Sequence, residues 1–207
     1  MTKNEWKSIL NRKINVYWWN NIKHSTKSLQ FLNTEKCYPG KMHTLLSINC
    51  KSSRDVNRIP TKLKLLTGTY ILQNNRAKYK NYTIDPTCLL NYTIDPTCLL
   101  NYTIDPTCLL CDSEAETPAY FILNCPALSS IRNPITAELQ FILQQNHNIQ
   151  YNTLSNDDKL QIILDCTHLI KSQRKIDFLE KIEFQNHRLL HNLHSARYRI
   201  LMNIKSS

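Results

Sequence analysis

The sequence predicts a mainly α protein: a small helical domain with an irregular, cysteine-bearing centre and a long C-terminal helix. The 207 residues include only two glycines, whereas average usage of about 7% would give roughly fourteen, so tight hairpins are disfavoured. Apolar residues recur three and four positions apart on both sides of the centre, which is typical of amphipathic helices. The centre has turn residues and closely spaced cysteines in place of this periodicity.

The first predicted helix covers residues 3–23. Its apolar stripe has successive spacings of four, four, three and one, and comprises Trp6, Leu10, Ile14, Tyr17 and Trp18. Side chains at such spacings lie on one face of a helix. The pattern therefore predicts that Trp6 and Trp18 are core residues of an amphipathic helix.

Two or three shorter helices are predicted before residue 80. One covers 41–50, and Ser53 is placed to cap another that starts near Arg54. Pro60 begins or kinks the next helix, because proline lacks the N–H that a helix interior requires. This last helix is expected to continue towards Arg76.

Three helices are predicted after the centre. The first covers 134–146 and begins with a proline, where a missing N–H costs least. The second covers 156–171, and Asn156 caps a first turn that contains two aspartates. The third runs from about 173 to 203, because its apolar residues are mostly three or four apart. These apolar residues are Leu179, Ile182, Leu189, Leu193, Ala196 and Ile200.

A perfect internal repeat precedes the centre. The decapeptide NYTIDPTCLL occurs without a break at 81–90, 91–100 and 101–110. Structural repeats normally run at 20–50 residues and diverge, so identity at this short period favours a recent duplication or an assembly error over a ten-residue solenoid. The Asn and Asp-Pro turn signals predict that the extra copies form a loop.

Charge is divided unevenly along the chain, whose formal net charge is +10. Residues 1–80 contain 16 Lys and Arg against three acidic residues, a net of +13, whereas 81–126 contain six acidic residues and no Lys or Arg. A basic first part of this kind suggests a polyanionic partner, nucleic acid before membrane, or simply a solvated basic surface. Tryptophans among the basic residues suit single-stranded nucleic acid, because aromatic rings can stack on bases while basic groups contact phosphates.

Several classes of enzyme are excluded by composition and spacing. Gly40 and Gly68 are too far apart for a dinucleotide fingerprint, a P-loop or the protein-kinase motifs. The only adjacent aspartates, Asp157 and Asp158, stand at a predicted helix start and not after a strand, so they do not resemble the metal-binding pair of a polymerase. We therefore expect a non-catalytic chain.

The sequence predicts an intracellular protein, nuclear or cytoplasmic. No apolar run suits a signal peptide or approaches the roughly 18 residues of a membrane span. In a reducing compartment the eight cysteines favour metal binding or free thiols over disulfides. Cys37, Cys50 and Cys166 carry no motif and are interpreted as buried thiols.

Cys108 and Cys111 form a C-x2-C pair, and Cys125 follows fourteen residues later. Three thiolates at this spacing predict a zinc-knuckle-like centre if a fourth ligand exists, or otherwise three free or buried thiols. Glu114 and Glu116 are near in sequence, but the pattern does not place either as a base, so hydrolysis there is not expected.

The same segment resembles the zinc-binding module that follows the polymerase domain in many non-LTR retrotransposon reverse transcriptases. The residues that carry this resemblance are Cys108, Cys111, Glu116, Thr117, Phe121, Ile122, Leu123, Cys125, Pro126 and Arg132. The preceding block resembles the family's K-x-x-LLTG-x-Y-x-L-x-x-x-RA-x-Y pattern, through Lys62, Leu65, Leu66, Thr67, Gly68, Tyr70, Leu72, Arg76, Ala77 and Tyr79. The resemblance implies zinc as cofactor, RNA or DNA as partner, and a place in a longer reverse transcriptase.

One departure from the family pattern concerns a ligand. The third ligand of the family is a histidine, and this chain has Tyr120 there. A phenol with a pKa near 10 is a poor ligand at neutral pH, so water, Cys98, Asp112 or His43 are alternatives for the fourth position. The remaining possibility is weak zinc binding or none, because ligand binding here is also folding energy.

With the resemblance, the chain divides into four parts: a basic helical region (1–80), the repeat as a loop (81–107), a degenerate zinc-knuckle module (108–132) and a helical C-terminal region (133–207). The basic residues next to the module are the predicted phosphate contacts. They are Lys62, Lys64, Arg76, Lys78 and Lys80.

A second set of potential metal ligands lies on the last helix. His187, His191 and His194 recur at helical spacing, which suits either a metal site or, more simply, a polar helix face. The sequence as a whole predicts a non-catalytic nucleic-acid-binding fragment without membrane or small-molecule partners. The alternatives are a helical interaction or structural protein, and a degenerate retroelement product with no selected activity.

Overall fold

The computed structural model confirms the predicted mainly α fold, with an irregular centre and a long C-terminal helix. In the described part of the chain, β structure is limited to an isolated bridge between Thr107 and Ala115. The predicted helix over 41–50 and the repeat before residue 105 lie outside the described residues, apart from His43 and Leu45. The structure describes residues 2–24, 29, 31–34, 43, 45, 53–78, 105–147, 149–169 and 176–206.

Seven α-helices are described. They are α1 (Lys3–His24), α2 (Ser53–Val56), α3 (Ile59–Leu66), α4 (Gln73–Lys78), α5 (Ser129–His147), α6 (Asn156–Leu164) and α7 (Ile176–Ser206). A π turn (Tyr120–Asn124) and three 3₁₀ turns (Pro126–Leu128, Tyr151–Thr153 and Cys166–Leu169) lie between these helices.

Helix α1 begins as predicted and ends one residue later than predicted, but the prediction that Trp6 and Trp18 are core residues is wrong. Trp6 is 51% exposed and Trp18 is 60% exposed. From residue 3 to residue 21, every side chain is exposed except those of Asn15 and Trp19, which are half-buried. The sequence pattern fits a helix with an apolar stripe, but periodicity alone does not say whether another element covers that stripe.

The helix predicted from Pro60 to Arg76 is two helices, because α3 ends at Leu66 in a Schellman motif. Gly68 has a φ of 68°, a conformation that costs glycine little. The Thr69 N–H donates to the Lys64 carbonyl at 2.9 Å, and the Gly68 N–H donates to the Leu65 carbonyl at 3.3 Å. These two bonds satisfy carbonyls at the helix end. The glycine that carries the family resemblance is therefore a helix stop.

Helices α5 and α6 differ from prediction at their ends. Helix α5 begins at Ser129, directly after a 3₁₀ turn, and so contains Pro134 in its second turn. Helix α6 is capped by Ser155, whose Oγ accepts from the Asp158 N–H at 3.1 Å, and not by Asn156. It ends at Leu164 because Asp165 is extended, and its carboxylate accepts the N–H and hydroxyl of Thr167 at 2.9 and 2.6 Å.

The core lies mainly between α5 and α7, with α3 and α6 packed against α7. Its fully buried large side chains are Phe121, Leu72, Ile122, Leu128, Leu139, Leu143, Ile163, Leu164, Ile182, Leu189, Leu190 and Leu193. Phe121 from the π turn stacks on Tyr70, with ring centroids 5.6 Å apart. The cysteine-bearing centre is thus joined to the same core as the long helix.

The polar face of α7 that contains His187 is buried. Glu183 and Asn186 are fully buried, and His187 is 7% exposed. Glu183 forms an ion pair with Lys62 of α3 and accepts a hydrogen bond from the Cys166 thiol at 2.9 Å. Cys166 is fully buried, as predicted, and this burial raises the pKa of its thiol well above the usual value.

None of the helices that the structure describes combines the length and the apolar character needed to cross a membrane.

Candidate metal centre

A tight turn positions the first two cysteines. The Cys108 N–H donates to the Glu114 carbonyl at 2.8 Å, beside the bridge that joins Thr107 to Ala115. The Asp112 N–H then donates back to the Cys108 carbonyl at 2.9 Å, and Asp112 takes a φ of 53°. Aspartate tolerates this left-handed conformation better than most residues. The turn brings Cys108 and Cys111 to the same side of the loop.

The third cysteine ends the π turn. The Cys125 N–H donates to the Tyr120 carbonyl at 2.8 Å, the i→i+5 bond that defines this turn. The Tyr120 N–H is capped in its turn by the Thr117 hydroxyl oxygen at 3.1 Å. Because one wide turn separates Tyr120 from Cys125, both side chains reach the C-x2-C loop.

The three thiols converge. Cys108 Sγ lies 3.9 Å from Cys125 Sγ, and Cys125 Sγ lies 3.7 Å from Cys111 Sγ. Two sulfur ligands at 2.3 Å from one tetrahedral zinc ion are separated by about 3.8 Å. The three sulfurs are therefore close enough to hold a metal ion, and all three lie within 4.8 Å of one another.

Tyr120 lies beside this cluster. Its hydroxyl lies 3.1 Å from Cys111 Sγ. The hydrogen bond to Cys111, with burial, raises the pKa of Tyr120 to about 12. Burial raises the pKa of Cys111 too, but hydrogen bonds from Tyr120 and Ser113 outweigh this effect and lower it overall. Either group can donate this hydrogen bond, and the opposite pKa shifts favour the phenol as donor and the Cys111 sulfur as acceptor.

The other two thiols are fully buried. Burial raises the pKa of Cys108 to about 12, and it also raises that of Cys125. Without a cation these two groups stay protonated, since charge on either is poorly solvated. A bound metal ion reverses this preference, because a coordinating thiol is deprotonated.

A buried arginine supports the centre from α5. Arg132 Nη2 donates to the Cys125 carbonyl at 2.9 Å, which fixes the backbone at the end of the π turn. The guanidinium charge also interacts favourably with a Cys125 thiolate. Arg132 thus fixes the backbone at Cys125 and places one positive charge beside the cysteine cluster.

Glu116 connects the centre to the rest of the fold. It is fully buried, and its two carboxylate oxygens accept from Arg197 Nε and Nη2 of α7 at 2.7 and 2.8 Å. One of these oxygens also accepts from the Gln73 N–H at the start of α4, at 2.8 Å. The glutamate is a structural anchor and is not free to act as a base.

The alternatives for the fourth ligand lie elsewhere or are not described. His43 Nε2 is 3.2 Å from the Asn33 carbonyl and 3.8 Å from Asp165 Oδ2, outside the cysteine cluster. Asp112 is exposed and has no carboxylate oxygen in the cluster. Cys98 lies outside the described residues.

The histidines of α7 do not form a metal site. His187 faces Glu183, with 3.6 Å between Nε2 and Oε2, whereas His194 Nδ1 is bonded to the Tyr70 hydroxyl at 2.8 Å. In the ranges that the structure describes, the three cysteines are the only group of three or more His, Cys, Asp or Glu whose ligand atoms converge.

The predicted phosphate contacts are not equivalent. Lys62 is 2% exposed and paired with Glu183, so its ammonium cannot reach a phosphate, and that assignment is corrected. Lys64 is exposed two residues further along α3. Arg76 is half-buried, and its Nη1 donates to Gln73 Oε1 at 3.1 Å. Lys78 ends α4 with only its backbone described, and Lys80 lies outside the described residues.

Sequence reasoning did not find the α7 partners of these motifs. Arg197 and Glu183 stand in a polar, helical stretch and have no motif around them. Their significance comes from pairing with Glu116 and Lys62, which lie 81 and 121 residues away in the chain. Both are charged residues on the apolar face of a long helix, and this placement was the one sequence signal that could have identified them.

Comparison with family models, with curated proteins and with solved structures finds no match to this chain.

Proposed function

We propose that the chain is a non-catalytic nucleic-acid-binding fragment in which Cys108, Cys111 and Cys125 hold zinc. The observation that carries the proposal is the convergence of the three sulfurs at 3.7 and 3.9 Å. Sulfur-rich tetrahedral sites favour zinc or iron–sulfur clusters over hard cations. Zinc is the simpler choice for three thiolates and one oxygen, since a cluster would use four cysteines.

Zinc at this position has a structural role. Its ligands come from the C-x2-C loop and from the end of the π turn, so it cross-links two segments and contributes folding energy. Tyr120 either supplies the fourth ligand atom or, as a phenol, donates to the Cys111 sulfur beside a bound water. In both arrangements Arg132 offsets the charge of the thiolates.

Catalysis at the centre is not part of the proposal. A hydrolytic zinc site needs a base that can reach the metal-bound water. Glu116 is held by Arg197 and by a backbone N–H, and Glu114 is exposed and has no carboxylate oxygen in the cysteine cluster. Both carboxylates are therefore poorly placed for that role.

The resemblance to the reverse transcriptase zinc-binding module supports the proposal through the contacts of its motif residues. Lys62, Tyr70 and Glu116 each pair with a residue of α7, namely Glu183, His194 and Arg197. Gly68 ends α3, and Leu72 and Phe121 are buried in the shared core. These motif residues thus help to assemble one small domain around the cysteine cluster.

Nucleic acid is the partner that the charge distribution favours. The net charge of +13 lies in residues 1–80, and it includes the exposed Lys64 and the basic residues of α1. Neutralising phosphates with such groups releases counterions, and affinity then falls steeply with salt.

Two measurements on the purified full chain test the proposal. Elemental analysis should find about one zinc per chain, and this zinc should be lost in Cys125→Ser. Fluorescence anisotropy with labelled RNA and DNA should show binding at 50 mM salt that weakens steeply by 200 mM. Zinc without nucleic-acid binding would favour a helical interaction protein. Neither zinc nor binding would favour a degenerate product.

A further inference from the structure

We propose that α1 is a single-strand-binding arm, on which unstacked bases of RNA or DNA pack against exposed aromatic rings while lysines contact the phosphates. The inference rests on the proposed function and assigns the binding of single strands to one helix. It starts from the finding that Trp6, Tyr17 and Trp18 are 51%, 63% and 60% exposed. Large aromatic side chains are costly to leave in water unless a partner covers them.

The exposed apolar residues of α1 form a stripe with cations on both sides. At 3.6 residues per turn, the stripe of Trp6, Leu10, Ile14 and Tyr17 covers an arc of about 80°, with Trp18 beside it. Lys3 falls inside this arc, and Lys7 and Lys13 fall within about 20° of its two edges. The centroids of the Tyr17 and Trp18 rings are 5.7 Å apart, so the two rings form one patch.

This arrangement matches the chemistry of a single strand. Every base has a π face that can stack on an aromatic side chain, and each linkage carries one negative charge. Helix α1 contains five Lys and Arg residues and one acidic residue, Glu5. Trp6 and Tyr17 are about 16 Å apart along the axis, which is the span of roughly five stacked nucleotides.

A bilayer surface fits α1 less well. Helices that lie in the membrane interface separate a broad apolar face from a polar face. On α1 the apolar stripe contains Lys3 and is flanked by Lys7 and Lys13. Exposed Ile9 and Val16 lie about 60° and 80° beyond one edge of the stripe. Lysines are therefore interspersed with the apolar residues of this helix.

A second copy of the chain also fits less well. Two stripes packed together would bring Lys3, Lys7 and Lys13 of both copies into one interface. Lysine is depleted from the buried centres of protein interfaces, and like charges there cost several kcal/mol. A polyanion, by contrast, is attracted to these lysines.

The test compares α1 variants of the full chain, with fluorescein-labelled single-stranded dT20, a 20-nucleotide RNA and a 20-base-pair duplex as probes. The variant with Trp6→Ala, Tyr17→Ala and Trp18→Ala should bind both single strands at least tenfold more weakly and keep the wild-type salt slope. The variant with Lys3→Gln, Lys7→Gln and Lys13→Gln should lower the salt slope by about 2. The matched control, Ile9→Ala with Val16→Ala outside the stripe, should bind like wild type.

The outcomes separate this inference from the proposed function. If wild type binds with a steep salt slope and the aromatic variant binds equally well, α1 is not the arm, and the proposed function stands. If wild type binds none of the probes at 50 mM salt, both fail. Binding of the wild-type chain to phosphatidylserine vesicles but not to the oligonucleotides overturns the inference. A wild-type chain that is dimeric, with an aromatic variant that is monomeric, also overturns it.

Discussion

Arg197 of α7 donates two hydrogen bonds to the buried carboxylate of Glu116, at 2.7 and 2.8 Å. The pair joins a loop that leads into the cysteine centre to the helix that forms the other side of the core. Because Glu116 is fully buried, the loop and the helix depend on each other: removing either charge leaves the other without its partner in a low-dielectric site.

The first prediction concerns this pair. Arg197→Met should reduce the free energy of unfolding by about 3–5 kcal/mol, because it leaves a buried carboxylate unpaired. The double variant Arg197→Met with Glu116→Gln should lose less free energy of unfolding than the two single variants lose in sum. Urea unfolding should give a coupling energy above about 1 kcal/mol. Arg188→Met is the matched control, since its pair with Glu138 is exposed and should contribute about 0–1 kcal/mol. Equal losses for Arg197→Met and Arg188→Met would contradict the assignment.

The second prediction concerns the unusual ligand position. Tyr120→His should raise zinc affinity by about tenfold or more, because an imidazole binds zinc as a neutral ligand whereas this phenol keeps its proton. Competition with a chromophoric chelator at pH 7 measures the change. Tyr120→Phe, which retains the ring and loses the bond to Cys111, is the control and should not gain affinity. If the histidine variant binds zinc no more tightly than wild type, the zinc-knuckle assignment fails.

The third prediction separates Lys62 from Lys64. Lys64→Gln should lower the slope of log K against log salt for nucleic-acid binding by about 0.7–0.9, as the loss of one phosphate contact requires. Lys62→Met should leave that slope unchanged but cost about 3–5 kcal/mol of stability, because Glu183 is left as an unpaired buried charge. Anisotropy titrations and urea unfolding measure the two effects. A smaller salt slope in Lys62→Met would show that its ammonium contacts phosphate after all.

The fourth prediction concerns acid stability. Burial, together with the charge of Lys62, lowers the pKa of His187 from 6.5 to about 4. The unfolded chain therefore binds more protons between about pH 6.5 and 4, so the stability contribution of neutral His187 is present above pH 6.5 and is lost as pH falls to about 4. The loss amounts to about 3 kcal/mol. Urea unfolding of His187→Gln should therefore show a flatter pH profile than wild type in this window.

Much of the fold was predictable because helical periodicity is a local signal. Helix α7 and the approximate bounds of α1 follow from apolar spacing. The close spacing of Cys108, Cys111 and Cys125 predicted that these residues would cluster. The break after Leu66 was also encoded locally, by Gly68 at a Schellman position, but the apolar spacing on either side masked it.

What could not be predicted depends on contacts between distant segments. Whether Trp6 is exposed and Lys62 is buried depends on which element packs against each side chain. The local sequence pattern is the same whether or not such an element is present. The position of the Tyr120 hydroxyl beside Cys111 likewise requires the π turn, which has no clear sequence signature. Local patterns located the candidate site, and tertiary packing determined its chemistry.

The most direct test of the account is zinc K-edge X-ray absorption on the full chain with one equivalent of zinc. The account predicts three sulfur neighbours at about 2.3 Å and one oxygen at about 2.0–2.2 Å, with one sulfur lost in Cys111→Ser. A first shell without sulfur, or a spectrum that does not change in Cys111→Ser, would contradict the claim that Cys108, Cys111 and Cys125 hold the metal.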